Sequence, residues 1–336
     1  MHILVTGGAG YIGSHTVLEL MKQGYKVTIV DNLINSSAAS IERVNKLAGH
    51  AAGLYIFDLQ DKPKLQALFD DNSFDAVIHF AGLKAVGESV AEPLRYYQTN
   101  LQSTLVLCQV MKRSPTRQLV FSSSATVYGA PEDVPILETA PIHATNPYGQ
   151  TKVMIEQILQ NLAATNNGWQ ITALRYFNPV GADESGLIGE DPSGIPNNLL
   201  PFVAQVAIGR REKVAVYGND YRTVDGTGVR DYIHVTDLSL GHIAALDHPP
   251  RINEMAVYNL GTGTGNSVLE AIHAFELAAN KPIPYEIIGR RAGDIAECYA
   301  DVTKVTYGLE WRAERSLPQA CQDAWRWQSQ NPNGYK

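Results

Sequence analysis

The sequence predicts an α/β protein: a doubly wound parallel sheet with a smaller mixed α/β unit after it. Three observations lead to this fold class. Short apolar runs alternate with longer helical patterns in the first half, a glycine-rich turn follows the first run, and Gly, Pro and Asn cluster after about residue 177. Strands that alternate with helices favour right-handed crossovers and a parallel sheet covered on both faces.

Six candidate strands are short runs rich in apolar and β-branched residues. They are His2–Thr6, Lys26–Val30, Gly53–Phe57, Ala76–Phe80, Gln118–Ser122 and Gln170–Tyr176. Five longer segments between them have the apolar spacing of a helix that buries one face. They are Gly13–Lys22, Ser40–Leu47, Lys62–Phe69, Leu94–Lys112 and Pro147–Leu162.

We predict two units, residues 1–177 and residues 178–336. The second begins in a stretch of Gly, Pro and Asn, and its segment 218–230 is polar and loop-like. In this architecture ligands bind at the carboxyl ends of the strands, so we expect the second unit to lie over that edge. The boundary is soft, and the chain can pass back and forth between the units.

The composition excludes several classes of partner. The chain has 336 residues and a net charge of -7, without the basic face that nucleic acid requires. Its three cysteines, Cys108, Cys298 and Cys321, are widely spaced and indicate neither a disulfide framework nor a metal site, which favours a reducing cytoplasm. We also expect no signal peptide, because the first residues enter a strand directly, and no membrane span.

A glycine-rich turn follows the first predicted strand. Gly7, Gly10 and Gly13 have the G-x-x-G-x-x-G spacing. Such glycines permit a tight turn, a close approach of backbone to a pyrophosphate, and packing of helix on strand. The alternative is an ordinary glycine turn, but the position between a strand and a helix favours a dinucleotide site of the Rossmann type.

Asp31 ends the second predicted strand, eighteen residues after Gly13. A carboxylate there accepts hydrogen bonds from the adenosine ribose and repels the additional phosphate of NADP. Asp31 and Asn32 therefore predict NAD as the cofactor, against the alternative of a solvated aspartate at a strand end.

Tyr148 and Lys152 form a Tyr-x-x-x-Lys pair at the start of a predicted helix. Their spacing places both side chains on one helix face. An ammonium beside a phenol favours the phenolate, so we predict Tyr148 to be a general base. Ser122, Ser123 and Ser124 follow the fifth strand; we expect Ser124 to take part in the chemistry and the other two to cap the strand end.

These motifs together resemble the extended short-chain dehydrogenase/reductases, and within them the bacterial type of UDP-glucose 4-epimerase. Several longer strings support the resemblance across nearly the whole chain. The most specific are residues 175–181, RYFNPVG, and residues 194–199, GIPNNL.

The resemblance implies a mechanism and a place in galactose metabolism. Tyr148, helped by Ser124, takes the proton of the sugar 4-hydroxyl while hydride passes from C4 to NAD. The 4-keto sugar then turns within the site while UDP stays anchored, and hydride returns to the other face. This chemistry requires firm UDP contacts and a roomy sugar pocket.

The resemblance also implies which residues bind. Those assigned to NAD are Gly7, Gly10, Tyr11, Ile12, Gly13, Asp31, Asn32, Leu33, Asn35, Ser36, Asp58, Leu59, Phe80, Ala81, Gly82, Lys84, Thr99, Ser124, Tyr148, Lys152 and Phe177. Those assigned to the UDP-hexose are Lys84, Ser124, Tyr148, Asn178, Asn198, Leu199, Ala215, Val216, Tyr217, Arg230, Arg291, Asp294 and Cys298. Relatives often carry Glu at the position of Ala292 and Asn at the position of Thr99. No metal is implied.

Cys298 bears on specificity. Related enzymes carry either a large Tyr or a small residue at this position, and the small residue resembles forms that also accept N-acetylated sugars. A ring would block the acetamido group while the sugar turns. The alternative is a buried cysteine that only fills space.

Three other functions share parts of these motifs. A sugar 4,6-dehydratase needs an acid and a base just after the serine, and residues 125–127 are Ala, Thr and Val. A net dehydrogenase would release NADH, and a nucleotide sensor would not need Tyr148 or Lys152. The resemblance further implies a homodimer through the helices at 94–112 and 147–162, although their apolar faces could equally be core.

Overall fold

The computed structural model describes residues 1–291 and 293–335, and its centre is a seven-stranded sheet in which every pair of neighbouring strands is parallel. The strand order is β11-β6-β5-β4-β1-β2-β3. The strands are β1 His2–Thr6, β2 Lys26–Asp31, β3 Gly53–Ile56, β4 Ala76–His79, β5 Gln118–Ser124, β6 Gln170–Tyr176 and β11 Glu254–Leu260. The predicted doubly wound sheet and its six predicted strands are confirmed, with ends that shift by no more than two residues.

Eleven helices of the described residues cover the two faces of this sheet and build the second unit. They are α1 Tyr11–Lys22, α2 Ala38–Ala48, α3 Lys62–Asp71, α4 Val86–Ala91, α5 Pro93–Met111, α6 Pro147–Ala163, α7 Leu199–Ala207, α8 Val235–Asp247, α9 Val268–Ala279, α10 Thr303–Gly308 and α11 Leu317–Gln330. A 3₁₀ turn at Ala125–Tyr128 follows β5 directly. The five predicted helices correspond to α1, α2, α3, α5 and α6.

The chain returns to the first sheet after residue 177. Strand β11 pairs in parallel with β6 along its whole length, from the Glu254–Gln170 pair to the Leu260–Tyr176 pair. Helix α8 packs beside α1 on one face of the large sheet, and α5 and α6 cover the other face. The units therefore interleave as the soft boundary allowed, and the division at residue 177 as such stays a prediction.

The second half also forms three small sheets of very short strands. They contain β7 Asn178–Val180, β8 Val214–Tyr217, β9 Val229–Arg230, β10 Tyr232–His234, β12 Asn266–Ser267, β13 Tyr285–Ile288 and β14 Glu297–Cys298. The pairings are β10 with β7, β12 and β14 on either side of β9, and β13 with β8. Helices α7, α9 and α11 enclose a separate apolar core behind these strands.

His79 is a buried contact between the sheet and α5. Its Nδ1 lies 2.7 Å from the Thr6 hydroxyl and its Nε2 lies 2.9 Å from the Thr104 hydroxyl. Burial, with a smaller contribution from the charge of Lys152, lowers the pKa of His79 from 6.5 to about 3. The ring is therefore neutral in the folded protein.

This histidine should make the protein sensitive to acid. Below about pH 6.5 His79 becomes protonated in the unfolded chain, whereas in the folded protein it stays neutral until about pH 3. The folded protein therefore loses stability as the pH falls through this range. We expect His79→Gln to reduce the pH slope of the unfolding free energy by up to about 1.4 kcal/mol per pH unit. Urea denaturation at pH 7, 6 and 5 measures the slope, with exposed His50→Gln as control. Equal slopes in the wild type and His79→Gln would contradict this account.

Candidate active site

The predicted ligand residues meet at the carboxyl edge of the large sheet. The chain order reverses between β1 and β4, and open α/β sheets bind ligands in the crevice at such a point. The loop after β1, the loop after β4, the end of β5 and the start of α6 all lie at this edge. The observed topology thus brings the two halves of the predicted chemistry together.

The glycine loop leaves no room for side chains. Gly7 has a φ of 71°, in the left-handed region. A Cβ at Gly13 would lie 2.3 Å from the Gly7 carbonyl oxygen, and one at Gly7 would lie 2.7 Å from the Ala81 nitrogen. Gly10 precedes α1 without any side-chain cap, so the helix N-terminus presents free N–H groups. This tight, uncapped turn fits the pyrophosphate of a dinucleotide.

Asp31 stands at the end of β2 beside this loop. Its Oδ2 accepts from the Ala9 N–H at 2.9 Å, and its Oδ1 accepts from the Leu33 N–H at 2.9 Å and from the Ser36 hydroxyl at 2.8 Å. A carboxylate has about four acceptor positions, so one remains for a ribose hydroxyl. Asp31 thus also joins the glycine loop to the 33–36 turn, which its position in the sequence did not reveal.

The other predicted NAD residues surround this crevice. Asn32 donates to Asp58 Oδ2 at 3.0 Å, which links the ends of β2 and β3, and Leu59 is buried beside them. Asn35 is exposed on the 33–36 turn. Tyr11 donates its hydroxyl to the Gly181 carbonyl at 2.7 Å and so connects the N-terminus of α1 to the second unit. Ile12 is half-buried in the first turn of α1.

Asn100, rather than its neighbour Thr99, contacts the loop after β4. The Asn100 carboxamide accepts from the Leu83 N–H at 2.8 Å and donates to the Leu83 carbonyl and the Thr151 hydroxyl, each at 3.1 Å. The carbonyl of Thr99 accepts from Ser103 within α5. NAD binding by Thr99 stays a prediction. Helical periodicity could have singled out Asn100, which lies on the buried face of α5 with Tyr96.

The predicted catalytic residues come from two elements in contact. Ser124 is the last residue of β5 and accepts from the Thr126 N–H at 3.2 Å, which starts the 3₁₀ turn. Asn146 caps α6 by accepting from the Gly149 N–H at 2.8 Å, which places Tyr148 in the first turn. A Cβ at Gly149 would lie 3.0 Å from the Thr126 carbonyl oxygen. The glycine therefore lets the start of α6 approach the turn that Ser124 begins.

Lys152 follows one helical turn later and is buried. Its Nζ donates to the Ser122 carbonyl at 2.6 Å and lies 5.8 Å from the centre of the Tyr148 ring. That bond uses one of three N–H groups, and among the described residues no other acceptor takes the remaining two. Those two fit the hydroxyls of a bound nucleotide.

Burial dominates the protonation of this pair. It raises the pKa of Tyr148 above 10, and the Ser124 hydroxyl opposes that rise only in part. Burial also lowers the pKa of Lys152 from 10.5 to about 8, against the charge of Glu156. Burial is therefore the larger influence on the phenol, because removal from water raises its pKa more than the hydrogen bond with Ser124 lowers it. That Lys152 favours the phenolate of Tyr148 stays a prediction.

Ser123 lies in the core next to a buried ion pair. Ser123 is 1% exposed and donates to Glu156. Glu156 also forms a buried ion pair with Arg175, with an Oε2 to NH2 distance of 2.7 Å. These contacts agree with the structural role expected for Ser123, and the role of Ser122 stays a prediction.

The three residues predicted to hold the diphosphate and uridine ribose converge from distant parts of the chain. Asp294 accepts from Arg291 at 2.8 and 3.2 Å, and one of its oxygens lies 4.0 Å from Arg230. Two guanidinium groups on one carboxylate leave a net positive charge, which suits a diphosphate. The Arg291 guanidinium also lies 5.3 Å from the centre of the Tyr217 ring.

The predicted uracil contact lies on β8. Val216 is buried in the core of the second unit, whereas Ala215 is half-buried and Tyr217 is exposed. Among the described residues β8 pairs only with β13, so its second edge presents backbone groups to a ligand. This agrees with a contact made by backbone.

Several other predicted ligand residues lie in the second unit or just before it. Phe177 is buried, and the Asn178 N–H donates to the Asp231 carbonyl at 2.9 Å. Asn198 precedes α7, where Leu199 is partly buried. Cys298 pairs with Arg230 across β14 and β9, and burial raises its pKa to about 11.

Glu190 was absent from the predicted site. Its Oε1 lies 3.3 Å from Lys84 Nζ and 3.4 Å from Asn198 Nδ2, so it joins two residues that were predicted. The string 189–191, Gly-Glu-Asp, carries no periodic signal that would have singled it out.

Two features bear on other ligands. Within residues 1–291 and 293–335, no three His, Cys, Asp or Glu side chains are grouped to hold a metal ion. No helix of this part of the chain combines the length and apolar character needed to cross a membrane. Ala292 and Lys336 lie outside the described residues.

Comparisons of the sequence with family models and with curated proteins point to the same family. Residues 3–261 match the family described as NAD dependent epimerase/dehydratase. The chain is 57% identical over 336 residues to a UDP-glucose 4-epimerase of Bacillus subtilis, covering 100% of this chain and 99% of that one. It is 55% identical to a UDP-glucose 4-epimerase of Haemophilus influenzae, with 100% of each chain covered.

Solved structures agree with the sequence relatives. The UDP-glucose 4-epimerase of Bifidobacterium longum, in complex with NAD+ and UDP, is 54% identical with a TM-score of 0.96, covering 99% of this chain and 100% of that one. The UDP-Glc/GlcNAc 4-epimerase of Campylobacter jejuni is 36% identical with a TM-score of 0.85, covering 98% and 99% of the two chains.

Proposed function

This chain belongs to the NAD dependent epimerase/dehydratase family, and we propose that it is an NAD-dependent UDP-glucose 4-epimerase that interconverts UDP-glucose and UDP-galactose. The observation that carries this proposal is the convergence of Ser124, Tyr148 and Lys152 with an uncapped, glycine-lined helix N-terminus at one sheet edge. The full-length similarity to enzymes of that name supports the substrate.

The NAD site uses groups that the fold already places. The turn from Gly7 to Gly13 binds the pyrophosphate, Asp31 receives the adenosine ribose, and the free N–H groups of Lys152 bind the other ribose. When bound there, NAD would supply reversible hydride transfer at the sugar carbon.

Tyr148 holds and moves the proton of the reacting hydroxyl. Burial raises the pKa of this phenol, so the positive charge of Lys152 and of the ligands must favour the phenolate. Ser124 stands between strand end and helix start, where its hydroxyl passes the proton between sugar and phenol.

UDP is anchored away from this chemistry. Arg230 and Arg291 hold the diphosphate, and Asp294 beside them accepts from the uridine ribose. Because these contacts do not involve the hexose, the sugar can turn while UDP stays bound.

The direct test is turnover without added cofactor. Purified protein is incubated with UDP-galactose, and UDP-glucose is detected by a coupled dehydrogenase. We expect product without added NAD, because each cycle regenerates the cofactor. No product, even with added NAD, would overturn the proposed substrate, whereas net release of NADH would identify a dehydrogenase.

We infer that the sugar pocket also accepts N-acetylated UDP-sugars because Cys298 is small. It pairs with Arg230 of the diphosphate anchor and packs beside the Ala125 and Phe177 cluster, so its volume acts on the space between the anchor and Ser124. The similarity to the Campylobacter jejuni enzyme supports this substrate class.

Cys298→Tyr should abolish turnover of UDP-GlcNAc while that of UDP-galactose stays within a few-fold. A ring at this position fills the space that the acetamido group needs as the sugar turns. Rates for both substrates measure the ratio, and Cys298→Ala, which keeps the pocket open, is the control. If Cys298→Tyr leaves the ratio of the two rates unchanged, Cys298 only fills space.

We propose that two copies of the chain associate through α5 and α6. The apolar side chains of Leu94, Leu105 and Met154 on these helices are 82%, 40% and 37% exposed, and Leu101 between the first two is only partly buried. A second copy would cover this stripe and complete a four-helix bundle. The chain's three thiols are free among the described residues and fit a cytoplasmic dimer.

Leu105→Glu should convert this dimer to a monomer, because a carboxylate would be buried without a partner. Light scattering during size exclusion measures the mass. Leu277→Glu, at a leucine on α9 that is 70% exposed, is the matched control and should leave the mass unchanged. A wild-type monomer, or a Leu105→Glu dimer of unchanged affinity, would refute this interface.

A further inference from the structure

We propose that Glu190 is a positioning residue of the sugar pocket, which orients Lys84 and Asn198 toward the hexose. The inference rests on the proposed function and adds to it a carboxylate that does not itself belong to the Ser124, Tyr148 and Lys152 group. The carboxylate lies between one residue from each half of the chain, 3.3 Å from Lys84 and 3.4 Å from Asn198.

The largely buried carboxylate of Glu190 can restrain the more exposed ammonium of Lys84. It is 12% exposed, whereas the Lys84 side chain is 54% exposed and would otherwise move freely. The Lys84 ammonium also lies 5.9 Å from the centre of the Tyr11 ring, next to the glycine loop. Without Glu190 this cation would be drawn toward the pyrophosphate, since a diphosphate attracts a mobile ammonium more strongly than sugar hydroxyls do.

The backbone around Glu190 is fixed from behind by the C-terminal segment. The Trp327 indole N–H donates to the Glu190 carbonyl at 3.1 Å. Gly189 lies against the same indole, where an added Cβ would be 2.3 Å from Trp327 Cγ. The Tyr335 hydroxyl bonds both the N–H and the carbonyl of Gly189 at 3.2 Å. Glu190 is thus held at a set position rather than on a free loop.

The contact pattern also leaves acceptor capacity for the substrate. Oε1 accepts both bonds, and among the described residues no donor contacts Oε2. A carboxylate oxygen in a pocket edge is a ready acceptor for sugar hydroxyls. The carboxylate can therefore keep Lys84 and Asn198 in place while a hexose hydroxyl approaches from the open side.

The experiment compares Glu190→Ala and Glu190→Gln with the wild type. UDP and UDP-galactose affinities are measured by calorimetry on the full chain with its NAD content determined, beside kcat and KM. We expect Glu190→Ala to weaken UDP-galactose binding and raise KM by roughly 10- to 100-fold, the usual cost of lost hydrogen bonds to a charged group. UDP affinity should stay within about twofold, because Arg230, Arg291 and Asp294 hold UDP. Glu190→Gln keeps an acceptor for Asn198 and should lose less.

Two controls separate positioning from folding. Glu19→Gln breaks a Glu–Lys pair on α1 whose glutamate is also 12% exposed, and it should change neither affinity. The pair Glu190→Gln with Lys84→Met should be non-additive, since each removes the same ion pair. If Glu190→Ala unfolds, Glu190→Gln and this double-mutant cycle still test whether Glu190 positions Lys84 and Asn198.

The inference is overturned if UDP and UDP-galactose weaken equally, if neither changes, or if the cycle is additive. Its failure is distinct from failure of the proposed function. Wild-type turnover of UDP-galactose tests the function, whereas the ratio of the two affinities tests Glu190 with or without turnover.

Discussion

Tyr148→Phe is expected to lower kcat for UDP-galactose by about 10²- to 10⁴-fold, the range for loss of a positioned general base. Phenylalanine fills the same space at the start of α6 but has no hydroxyl to exchange the proton of the sugar with Ser124. The variant therefore lacks the group that we propose to exchange this proton.

The measurement separates chemistry from binding. KM and UDP affinity should change little, because we propose that Arg230 and Arg291, rather than Tyr148, hold the diphosphate. Tyr307→Phe, at a tyrosine that is 82% exposed on α10, is the matched control and should keep full activity. Retention of more than a tenth of wild-type kcat in Tyr148→Phe would assign the proton to another group.

Lys152→Met should lower kcat at pH 7 by roughly 10²-fold or more and reduce the NAD that copurifies with the protein. The substitution removes an ammonium that lies 5.8 Å from the centre of the Tyr148 ring, so the phenolate becomes still harder to form. It also removes the two N–H groups that are free to bind a ribose. The pH at which activity rises should therefore move upward in the variant.

The same substitution should not destabilise the fold. Buried Lys152 has a pKa of about 8 in the folded protein against 10.5 when unfolded, so wild-type stability rises between those pH values as the folded form loses its proton first. Below pH 8 the wild type buries a charge, and Lys152→Met should be at least as stable. The advantage of the variant should shrink from pH 8 to 10.5.

Urea denaturation and kinetics on one preparation check both parts. Lys112→Met, at an exposed lysine after α5, is the control for loss of a cation. Strong destabilisation of Lys152→Met at pH 7, or unchanged activity and NAD content, would show that Lys152 does not combine these roles.

Local patterns predicted a large part of this protein. The six strands of the first half and the five helices between them show a regular spacing of apolar residues within a few residues of one another. The structure confirms these elements. The glycine loop and the Tyr148–Lys152 pair are equally local, because one turn or one helix face contains each motif. The strand-end position of Ser124 followed from the same alternation.

The tertiary structure decided what no local pattern could. Strand β11 completes the large sheet from residue 254 onward, and several strands of the second half have only two or three residues, too few to show a period. Arg230 and Asp294 meet only because β9 and β14 pair, and Asn100 rather than Thr99 reaches the loop after β4 because α5 turns that face inward.

The sequence by itself therefore determined the fold class, the cofactor turn and the reacting pair, since each is encoded by residues within one or two elements. Only the folded chain determined the surroundings of those groups. It buries Tyr148 and Lys152, which raises the pKa of the phenol and lowers the pKa of the ammonium. It also places Glu190 between Lys84 and Asn198. Burial and contacts between distant segments are properties of packing, and packing is set by the whole chain at once.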